Sequence, residues 1–355
     1  MTENKAMLNN RKVVLGMSGG VDSTASALIL QKKGYEVVGL HFDVFGKGED
    51  SASRVKEVCE KLGIELIYRD VSKDFSSKVI SYFYNEYACG RTPNPCVMCN
   101  KTVKFKVLLD EANRIGAGSI ATGHYSETEV LKESGETVIK LCSNRKKDQS
   151  YMLWKLGQEE LSRIIFPLSS FNSKEEIREI LREKGFPNAE TRDSQEICFI
   201  ENDDYYSFLT EKMGMKPRHG NFVNKNGDIL GTHSGIIKYT VGQRKGLGIT
   251  FGKPVFVTDI DSKKNQVVLG DSEDLFKNEI ISSNNNFCTS GKFSGEKLYG
   301  KIRYAAPFSS CTIEELPDGR IKTVFEDAQR APTPGQSIVW YKGEYMIGGG
   351  IIDKI

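Results

Sequence analysis

Residues 16–23, Gly-Met-Ser-Gly-Gly-Val-Asp-Ser, constrain the fold more than any other stretch of the chain. A short apolar run, residues 13–15, precedes them, and the apolar and polar residues of 24–31 alternate as in an amphipathic helix. This order predicts a strand, a glycine turn and a helix. Two adjacent glycines allow a tight turn, so that backbone N–H groups and the hydroxyls of Ser18 and Ser23 converge on an anion at the positive end of the helix dipole. The stretch therefore predicts a phosphate site.

This phosphate loop differs from the two commonest nucleotide motifs. It lacks the Lys-Ser/Thr ending of a Walker loop and the glycine spacing of a dinucleotide fingerprint. It resembles SGGxDS, the pyrophosphate loop (PP-loop) of ATP pyrophosphatases, which adenylate their substrates. An ordinary turn would not explain Asp22, whose carboxylate suits a Mg²⁺ ion that bridges phosphate oxygens. The expected cofactors are therefore ATP and Mg²⁺.

Apolar runs alternate with helical patterns through the first half of the chain. Strands are predicted over residues 36–42, 64–68 and 119–123, and helices over 51–62, 72–87, 104–115 and 173–184. A further helical tract is predicted through Leu161 and Ile165, and a polar hairpin over 127–141. This alternation is typical of an α/β fold with a doubly wound parallel sheet, whose ligands bind beyond the carboxyl ends of the strands.

The pattern changes after about Asp204. Short β-branched runs punctuated by glycine, such as residues 256–259 and 266–270, replace the helical periodicity and predict β structure. We therefore expect a PP-loop ATPase domain over residues 1–204, a small β-rich central domain over 205–274 and a C-terminal β-barrel over 275–355.

Composition restricts the partners and the compartment. Lysine and arginine number 49 against 47 aspartates and glutamates, a net charge of +2, so a nucleic acid would have to be bound by local basic patches. No apolar run approaches the roughly 20 residues of a membrane span, and the polar N-terminal residues lack the apolar core of a signal peptide. The expectation is a cytoplasmic protein without a membrane partner.

The eight cysteines fall into two groups. Because a reducing cytoplasm disfavours structural disulfides, they are expected to be thiols, metal ligands or catalytic groups. Four stand singly in apolar or strand-like sequence and are predicted to be buried: Cys59, Cys142, Cys288 and Cys311. The others are Cys89, Cys96, Cys99 and Cys198.

Cys96 and Cys99 form a CxxC pair, which we expect on a loop stiffened by Pro93 and Pro95. Three explanations compete for this pair. A structural zinc site would need a second ligand pair, which the sequence lacks. A thioredoxin-like redox pair would leave the phosphate loop unexplained. Sulfur transfer through a persulfide or disulfide would need a distant second thiol, for which Cys198 is the candidate.

Motifs spread over nearly the whole chain resemble, in the same order, those of the tRNA-specific 2-thiouridylase family. They are GMSGGVDS, RTPNPxxxCNKxxKF, ATGHY, KDQSY, DSxxxCFI, GQRKGLGI, RY and TPGQS. Members of this family replace the 2-oxygen of the wobble uridine of certain tRNAs by sulfur. The resemblance implies a tRNA-uridine 2-sulfurtransferase that activates this oxygen with ATP, because an adenylated oxygen leaves as AMP when sulfur attacks.

The resemblance also assigns roles to individual residues. Cys99 matches the nucleophile, and Cys198 matches the residue that receives sulfur as a persulfide from a donor protein; a Cys99–Cys198 disulfide then forms and must be reduced. The implied ATP contacts are Gly16, Met17, Ser18, Gly19, Gly20, Val21, Asp22 and Ser23 for the pyrophosphate, and Phe42 and Gly123 for the adenosine. The implied contacts with the anticodon region of tRNA are Asn94, Pro95 and Cys96 at the target base, with His124, Lys147, Asp148, Gln149, Arg303, Tyr304 and Gln336 around it.

The chain departs from the family pattern at Cys96, where many members have an aspartate. A thiol cannot polarise the base or assist proton transfer as a carboxylate does. Cys96 does add a third thiol to Cys99 and Cys198, and some related tRNA thiolases use three cysteinates to hold a four-iron, four-sulfur cluster. The sequence thus assigns no metal ligand with certainty, and a cluster on these three residues is a hypothesis. The loop after Phe42 is also shorter than the acidic loop of the family, so Asp22 is the one Mg²⁺ ligand predicted.

Two other functions account for part of the sequence. A PP-loop ligase that adenylates a carboxyl or carbonyl group and transfers nitrogen would need the phosphate loop but neither Cys99 nor Cys198. A non-catalytic RNA-binding scaffold would need neither the loop nor the cysteines.

Overall fold

The computed structural model describes residues 11–191, 197–249 and 252–353. The strands up to residue 191 are Lys12–Gly16 (β1), Glu36–Asp43 (β2), Glu65–Asp70 (β3), Ser119–Ala121 (β4), Glu127–Val130 (β5), Thr137–Lys140 (β6) and Ile164–Ile165 (β7). Five of them form a parallel sheet in the order β3-β2-β1-β4-β7. Val13, Val14 and Leu15 of the central strand are fully buried, as expected of a strand covered on both faces.

Helices cover this sheet. They are Val21–Lys32 (α1), Ser53–Leu62 (α2), Ser72–Phe75 (α3), Ser81–Ala88 (α4), Pro95–Cys99 (α5), Phe105–Arg114 (α6), Gln158–Leu161 (α7) and Lys174–Glu183 (α8). A π turn at Ser76–Ile80 joins α3 to α4, and another at Asn100–Lys104 joins α5 to α6, so each pair is continuous. Short 3₁₀ turns lie at Glu49–Ala52, Ser150–Met152 and Pro187–Glu190. The predicted doubly wound α/β fold is confirmed.

Two local predictions are wrong. The CxxC pair lies on helix α5 and not on a loop, because Pro95 occupies the first turn, where its fixed φ suits a helix and its missing N–H costs no hydrogen bond. Ile165 belongs to strand β7 and not to a helix, because it pairs with Ala121 of β4 in the parallel sheet. Pairing across the sheet overrides the local helical pattern there.

The β-rich central part consists of Gly220–Val223 (β8), Ile229–His233 (β9), Phe256–Asp261 (β10) and Gln266–Gly270 (β11), in the sheet order β10-β11-β8-β9. A short helix, Tyr205–Ser207 (α9), continues into a π turn at Phe208–Lys212, and 3₁₀ turns lie at Glu201–Asp203 and Ile236–Lys238. Its apolar core is continuous with α4, since the rings of Phe83 and Phe199 pack edge to face at 5.3 Å and both belong to the cluster that includes Val257. The central part is therefore packed firmly against the helices before the CxxC pair.

The last strands are Phe276–Phe287 (β12), Leu298–Lys301 (β13), Ser309–Glu315 (β14), Ile321–Arg330 (β15), Ser337–Lys342 (β16) and Tyr345–Ile352 (β17), and a 3₁₀ turn at Glu273–Leu275 precedes them. They run in the order β12-β15-β14-β13-β16-β17, and β12 also pairs with β17. This second pairing closes the predicted C-terminal barrel.

The predicted hairpin forms as β5 and β6, but it extends the barrel sheet, because Ile139 of β6 pairs with Met346 of β17. Nearby, a side chain at Gly349 would place its Cβ 2.9 Å from the ring of the buried Trp154, so glycine permits this close approach. Since a hairpin of the first part joins the barrel, the domain boundaries after residues 204 and 274 stay predictions. Among the described residues, no helix has the length and apolar character that crossing a bilayer requires.

Candidate active site

The predicted phosphate loop lies at the carboxyl end of β1, where residues 17–20 turn into helix α1. The hydroxyl oxygens of Ser18 and Ser23 are 3.2 Å apart, and the Ser18 N–H donates to the Ser23 hydroxyl at 3.3 Å. The helix begins after Gly20 without a side-chain cap, so its first N–H groups are directed toward this turn. Hydroxyls, N–H groups and the helix dipole thus fit a bound phosphate.

Close packing around the loop requires glycine at two places. Gly19 has φ +72°, and a Cβ there would lie 3.2 Å from the side chain of Val55. A Cβ added at Gly123 would lie 3.1 Å from the Cβ atom of Asp22. Phe42 also approaches the loop, since its ring would be 3.3 Å from a Cβ at Gly16. The structure therefore brings the predicted adenosine contacts, Phe42 and Gly123, to the predicted pyrophosphate loop.

Asp22, the predicted Mg²⁺ ligand, is held from two sides. Its Oδ1 accepts a hydrogen bond from the Tyr125 hydroxyl at 2.9 Å, and its Oδ2 lies 3.0 Å from Lys174 Nζ. A carboxylate beside a phosphate loop fits a hard cation such as Mg²⁺. The sequence reasoning missed Lys174, which is 152 residues away from Asp22 in the chain. The sequence near Lys174 offers one signal, Ser173, which is the N-cap of α8. A helix cap predicts where α8 begins, but it does not predict that Lys174 contacts the phosphate loop.

The three cysteines singled out by the sequence are neighbours. Cys96 and Cys99 lie one turn apart on α5; Cys96 and Cys198 are exposed and Cys99 is half-buried. Surrounding protein atoms desolvate the Cys198 thiolate although the residue reaches solvent, and together with the nearby Cys99 and Cys96 this raises the pKa of Cys198 to about 11. Desolvation by surrounding protein atoms also raises the pKa of Cys96 and of Cys99, while Lys104 opposes the increase at all three thiols. The structure thus gathers the predicted nucleophile and the predicted persulfide carrier around Lys104.

The gathered thiols are not placed to hold a single metal ion. Within residues 11–191, 197–249 and 252–353, no three His, Cys, Asp or Glu side chains are placed to hold a metal ion, and Cys96, Cys99 and Cys198 all belong to these ranges. Residues 193–196, the first part of the DSxxxCFI motif, lie outside the described residues. The four singly placed cysteines are buried as predicted: Cys59, Cys142, Cys288 and Cys311.

The C-terminal barrel holds the segment that leads into α5. Gln336 Nε2 donates to the carbonyl oxygen of Thr92 at 2.8 Å, and the Thr92 N–H donates to the carbonyl of Pro334 at 2.8 Å. A Cβ at Gly335 would lie 3.0 Å from the backbone of Thr92. Gln336, which the sequence predicts as a tRNA contact, therefore positions the residues before the cysteines.

Asn94, Pro95 and Cys96 begin helix α5, where the sequence predicts the target base. The Asn94 side chain donates to Met152 Sδ at 3.3 Å, and Asn100 donates to the Met152 carbonyl at 3.0 Å. Pro95 is buried, whereas Cys96 is exposed. Of these three residues, Cys96 is thus the most exposed to solvent.

His124 lies beside the cysteine site. Its Nδ1 is 2.8 Å from the Thr122 hydroxyl, and its ring stacks on Phe105 with centroids 6.0 Å apart. Burial and the nearby Lys104 lower the pKa of His124 to about 3. A neutral imidazole offers tRNA a hydrogen bond but no positive charge.

The predicted contacts at 147–149 lie next to Tyr125, at the end of a turn that covers residues 145–147. Gln149 exchanges two hydrogen bonds with the backbone of Tyr125, at 2.7 and 3.0 Å. The carboxylate of Asp148 accepts from the N–H groups of Cys142 at 2.8 Å and Ser150 at 3.1 Å. The Lys147 N–H donates to Asn144. Asp148 and Gln149 therefore stabilise the turn and connect it to the residue that contacts Asp22.

Arg303 and Tyr304 lie on the barrel side. Arg303 donates to the carbonyl oxygens of Ala331 at 2.8 Å and Val241 at 3.2 Å, and burial lowers its pKa. This residue therefore ties the central part to the barrel. Tyr304 is 37% exposed, and Lys301 Nζ lies 5.8 Å from its ring centroid. An exposed aromatic beside a cation suits stacking on an RNA base.

The raised pKa of Cys198 predicts slow alkylation at neutral pH. Only the thiolate form of Cys198 reacts with the reagent. Because the pKa of the Cys198 thiol is about 11, the fraction present as thiolate rises as pH increases toward that value. Between pH 7 and pH 9 we expect the rate of Cys198 alkylation by iodoacetamide to rise about tenfold per pH unit, without the plateau near the ordinary thiol pKa of about 8.5. Peptide mass spectrometry of the alkylated protein measures this rate, and a plateau below pH 9 would contradict the prediction.

Comparisons with known proteins show what the chain is similar to along its length. The chain matches three family models: the tRNA methyl transferase HUP domain over residues 11–202, the tRNA methyl transferase PRC-barrel domain over 206–271 and the Aminomethyltransferase beta-barrel domain over 277–352. It is 43% identical to tRNA-specific 2-thiouridylase MnmA 2 of Caldanaerobacter subterraneus subsp. tengcongensis, with 98% of this chain and 99% of the relative covered. It is 44% identical to tRNA-specific 2-thiouridylase MnmA 1 of Clostridium tetani, with 97% of each chain covered. It is also 44% identical to tRNA-specific 2-thiouridylase MnmA of Clostridium acetobutylicum, with 97% of this chain and 99% of the relative covered.

Proposed function

Because this chain belongs to the tRNA-specific 2-thiouridylase family, we propose that it is a tRNA-uridine 2-sulfurtransferase that forms 2-thiouridine at the wobble position of tRNA. The observation that carries this proposal is the position of residues 123–125. Gly123 and Tyr125 contact Asp22 of the phosphate loop, and His124 between them lies within electrostatic reach of Lys104, which also faces the three thiols. One short segment therefore connects an ATP site to a sulfur site.

The first step is activation of the uridine. Bound ATP supplies an electrophilic α-phosphorus; the 2-oxygen of uridine bonds to it while the bond to the β-phosphate breaks and pyrophosphate leaves. Ser18, Ser23 and the N–H groups at the start of α1 hold the pyrophosphate, and Asp22 is the residue that would hold Mg²⁺. Phe42 and Gly123 lie against the phosphate loop, and we propose that they contact the adenosine of the ATP whose phosphates the loop holds.

The second step transfers sulfur. Cys198 carries the persulfide that a donor protein supplies. Cys99 attacks the Cys198 sulfur, the persulfide S–S bond breaks, and the released sulfur bonds to C2 of the uridine as AMP leaves. The two cysteines are then joined by a disulfide, which an external dithiol must reduce before the next turnover. Their proximity supports this pairing, since Cys99 raises the pKa of Cys198.

The tRNA occupies the face where these two sites meet. The target base lies at Asn94, Pro95 and Cys96, and the other tRNA contacts are those proposed from the family motifs: His124, Lys147, Asp148, Gln149, Arg303, Tyr304 and Gln336. The exposure of Tyr304 and of Cys96 supports contact of these two residues with RNA. The reducing chemistry that regenerates the thiols agrees with a cytoplasmic location.

An iron–sulfur route is the second candidate for sulfur transfer, and it rests on the presence of Cys96 as a third thiol. The persulfide route is preferred because it needs only Cys99 and Cys198, which lie close enough for Cys99 to raise the pKa of Cys198. A colourless anaerobic preparation without iron that still thiolates tRNA would agree with this choice. Thiolation that depends on added iron would contradict it.

One assay tests the function as a whole. The purified protein is incubated with tRNA, Mg²⁺, a persulfide donor and either ATP or no nucleotide, and the tRNA nucleosides are analysed by mass spectrometry. We expect 2-thiouridine in the ATP sample alone. ATP–pyrophosphate exchange without tRNA and without thiolated nucleoside would instead favour the nitrogen-transferring ligase. Binding of tRNA without any use of ATP would favour the RNA-binding scaffold.

A further inference from the structure

Cys96 and Cys99 have the backbone spacing of a disulfide. They lie one turn apart in helix α5, with Cys96 directly after the proline that begins the helix. The rise and turn of an α-helix place the Cα atoms of such a pair about 5 Å apart. A disulfide requires Cα atoms that are between about 4.4 and 6.8 Å apart. The helix therefore holds these two thiols in a relative position from which they can be joined.

Cys198 approaches the same pair from a turn that covers residues 197–200. A backbone hydrogen bond of 2.9 Å between the first and last residues closes this turn, and its Phe199 is buried while Cys198 is exposed. Cys99 packs against the apolar cluster to which Phe199 belongs. Cys99 thus lies between two other thiols, Cys96 on its own helix and Cys198 on the neighbouring turn.

We propose that Cys96 is a resolving thiol, which opens the Cys99–Cys198 disulfide left by sulfur transfer and forms a Cys96–Cys99 disulfide in its place. The Cys96 thiolate bonds to the Cys99 sulfur, the bond between Cys99 and Cys198 breaks, and Cys198 leaves as a thiolate that takes up a proton. This exchange is redox-neutral, and an external dithiol then reduces the Cys96–Cys99 disulfide. The proposal rests on the proposed sulfur transfer, and it goes further by giving Cys96 a covalent role.

The exchange is favoured by the position of Cys96. A thiol held one helical turn from its target attacks without the entropy cost of bringing a dissolved reductant to the site. The rate of thiol–disulfide exchange also depends on the attacking and the leaving thiolate. The Lys104 ammonium lies within electrostatic reach of all three thiols, so it stabilises both the Cys96 thiolate and the Cys198 thiolate.

The exchange also assigns the two external partners to different cysteines. Cys198 regains its thiol at once and can accept sulfur from the persulfide donor. The dithiol acts instead on the disulfide that includes Cys96. Because Cys96 and Cys198 are both exposed, each partner can approach its own cysteine.

Disulfide mapping after one turnover distinguishes the two disulfides. The protein is loaded with a low-molecular-weight persulfide, freed of the excess, and mixed with tRNA, ATP and Mg²⁺ without any dithiol. The reaction is quenched in acid, free thiols are alkylated with N-ethylmaleimide, and peptides are analysed by mass spectrometry. We expect the wild type to contain a Cys96–Cys99 disulfide and alkylated Cys198, whereas Cys96→Ser should retain the Cys99–Cys198 disulfide.

A kinetic measurement tests the same role during turnover. The steady-state rate of thiolation in dithiol is divided by the single-turnover rate, so that an effect of the substitution on sulfur transfer itself cancels. Cys96→Ser is expected to lower this ratio about tenfold, because a dissolved dithiol must replace a thiol that is already in place. The matched control is Cys89→Ser, which removes an exposed thiol at the end of α4 and should change neither the disulfide map nor the ratio.

The outcomes separate this proposal from the proposed function. A wild-type protein that forms 2-thiouridine but holds only the Cys99–Cys198 disulfide, or no disulfide, would overturn the role of Cys96. An unchanged ratio in Cys96→Ser would overturn it as well. A wild-type protein that forms no 2-thiouridine would contradict the proposed function instead. Thermal unfolding of each variant confirms that the measurements were made on folded protein.

Discussion

Cys99→Ser is expected to abolish tRNA thiolation, with a loss of at least about a thousandfold, while adenylation of tRNA continues. A serine hydroxyl is not ionised near neutral pH and cannot form the disulfide with Cys198 that accompanies sulfur release. The phosphate loop does not include Cys99, so the activation step should persist. The measurements are 2-thiouridine by nucleoside mass spectrometry and AMP and pyrophosphate release in a single turnover.

Two further cysteine variants make this experiment interpretable. Cys89→Ser changes an exposed thiol at the end of α4 and should thiolate tRNA at the wild-type rate. Cys96→Ser tests the residue that replaces the aspartate of the family, and retained activity would show that Cys96 is not needed for sulfur release. Undiminished thiolation by Cys99→Ser would refute the proposed mechanism.

Gly19→Ala is expected to weaken ATP binding about tenfold, which corresponds to about 1.4 kcal/mol of binding free energy. Gly19 has φ +72°, a conformation that costs an alanine about 1–2 kcal/mol, and the new Cβ would lie 3.2 Å from Val55. The loop can relieve this strain only by turning, and its N–H groups then no longer converge on the pyrophosphate. Equilibrium titration with ATP in Mg²⁺ measures the loss.

Gly63→Ala is the control for backbone strain alone. Gly63 ends helix α2 at φ +66°, and a Cβ there would meet no atom within 4 Å. Both variants should therefore lose conformational stability in thermal unfolding, Gly19→Ala the more because of its contact with Val55, but Gly63→Ala should bind ATP like the wild type. Equal ATP affinities for the two glycine variants would show that the shape of the loop at Gly19 does not determine nucleotide binding.

Structural features that depend on residues close together in the sequence were predictable from the sequence. The order of apolar run, glycine pair and helix located the phosphate loop, because turn geometry and periodicity are local properties of the backbone. Continuous apolar strands predicted a parallel sheet covered on both faces, and short β-branched runs predicted the β-rich second half. The predicted roles of Cys99 and Cys198 came from the motif resemblance, because hydrophobic periodicity and residue spacing do not assign catalytic roles.

Local sequence was insufficient where a distant partner determines the outcome. The hairpin of β5 and β6 was predicted, but its pairing with β17 was not, and Ile165 forms a strand because Ala121 lies beside it. The helical start at Pro95 was also missed, since a proline-rich segment is compatible with a loop as well as with the first turn of a helix.

The phosphate loop and the paired cysteines were determined by the sequence itself, since each depends on residues that are close together in the chain. Their arrangement into one site was decided by the tertiary structure. Gln336 contacts Thr92 across 244 residues, and Lys174 contacts Asp22 across 152. Such contacts depend on which helices and strands the topology brings together. Local propensity and residue spacing do not predict which distant elements become neighbours.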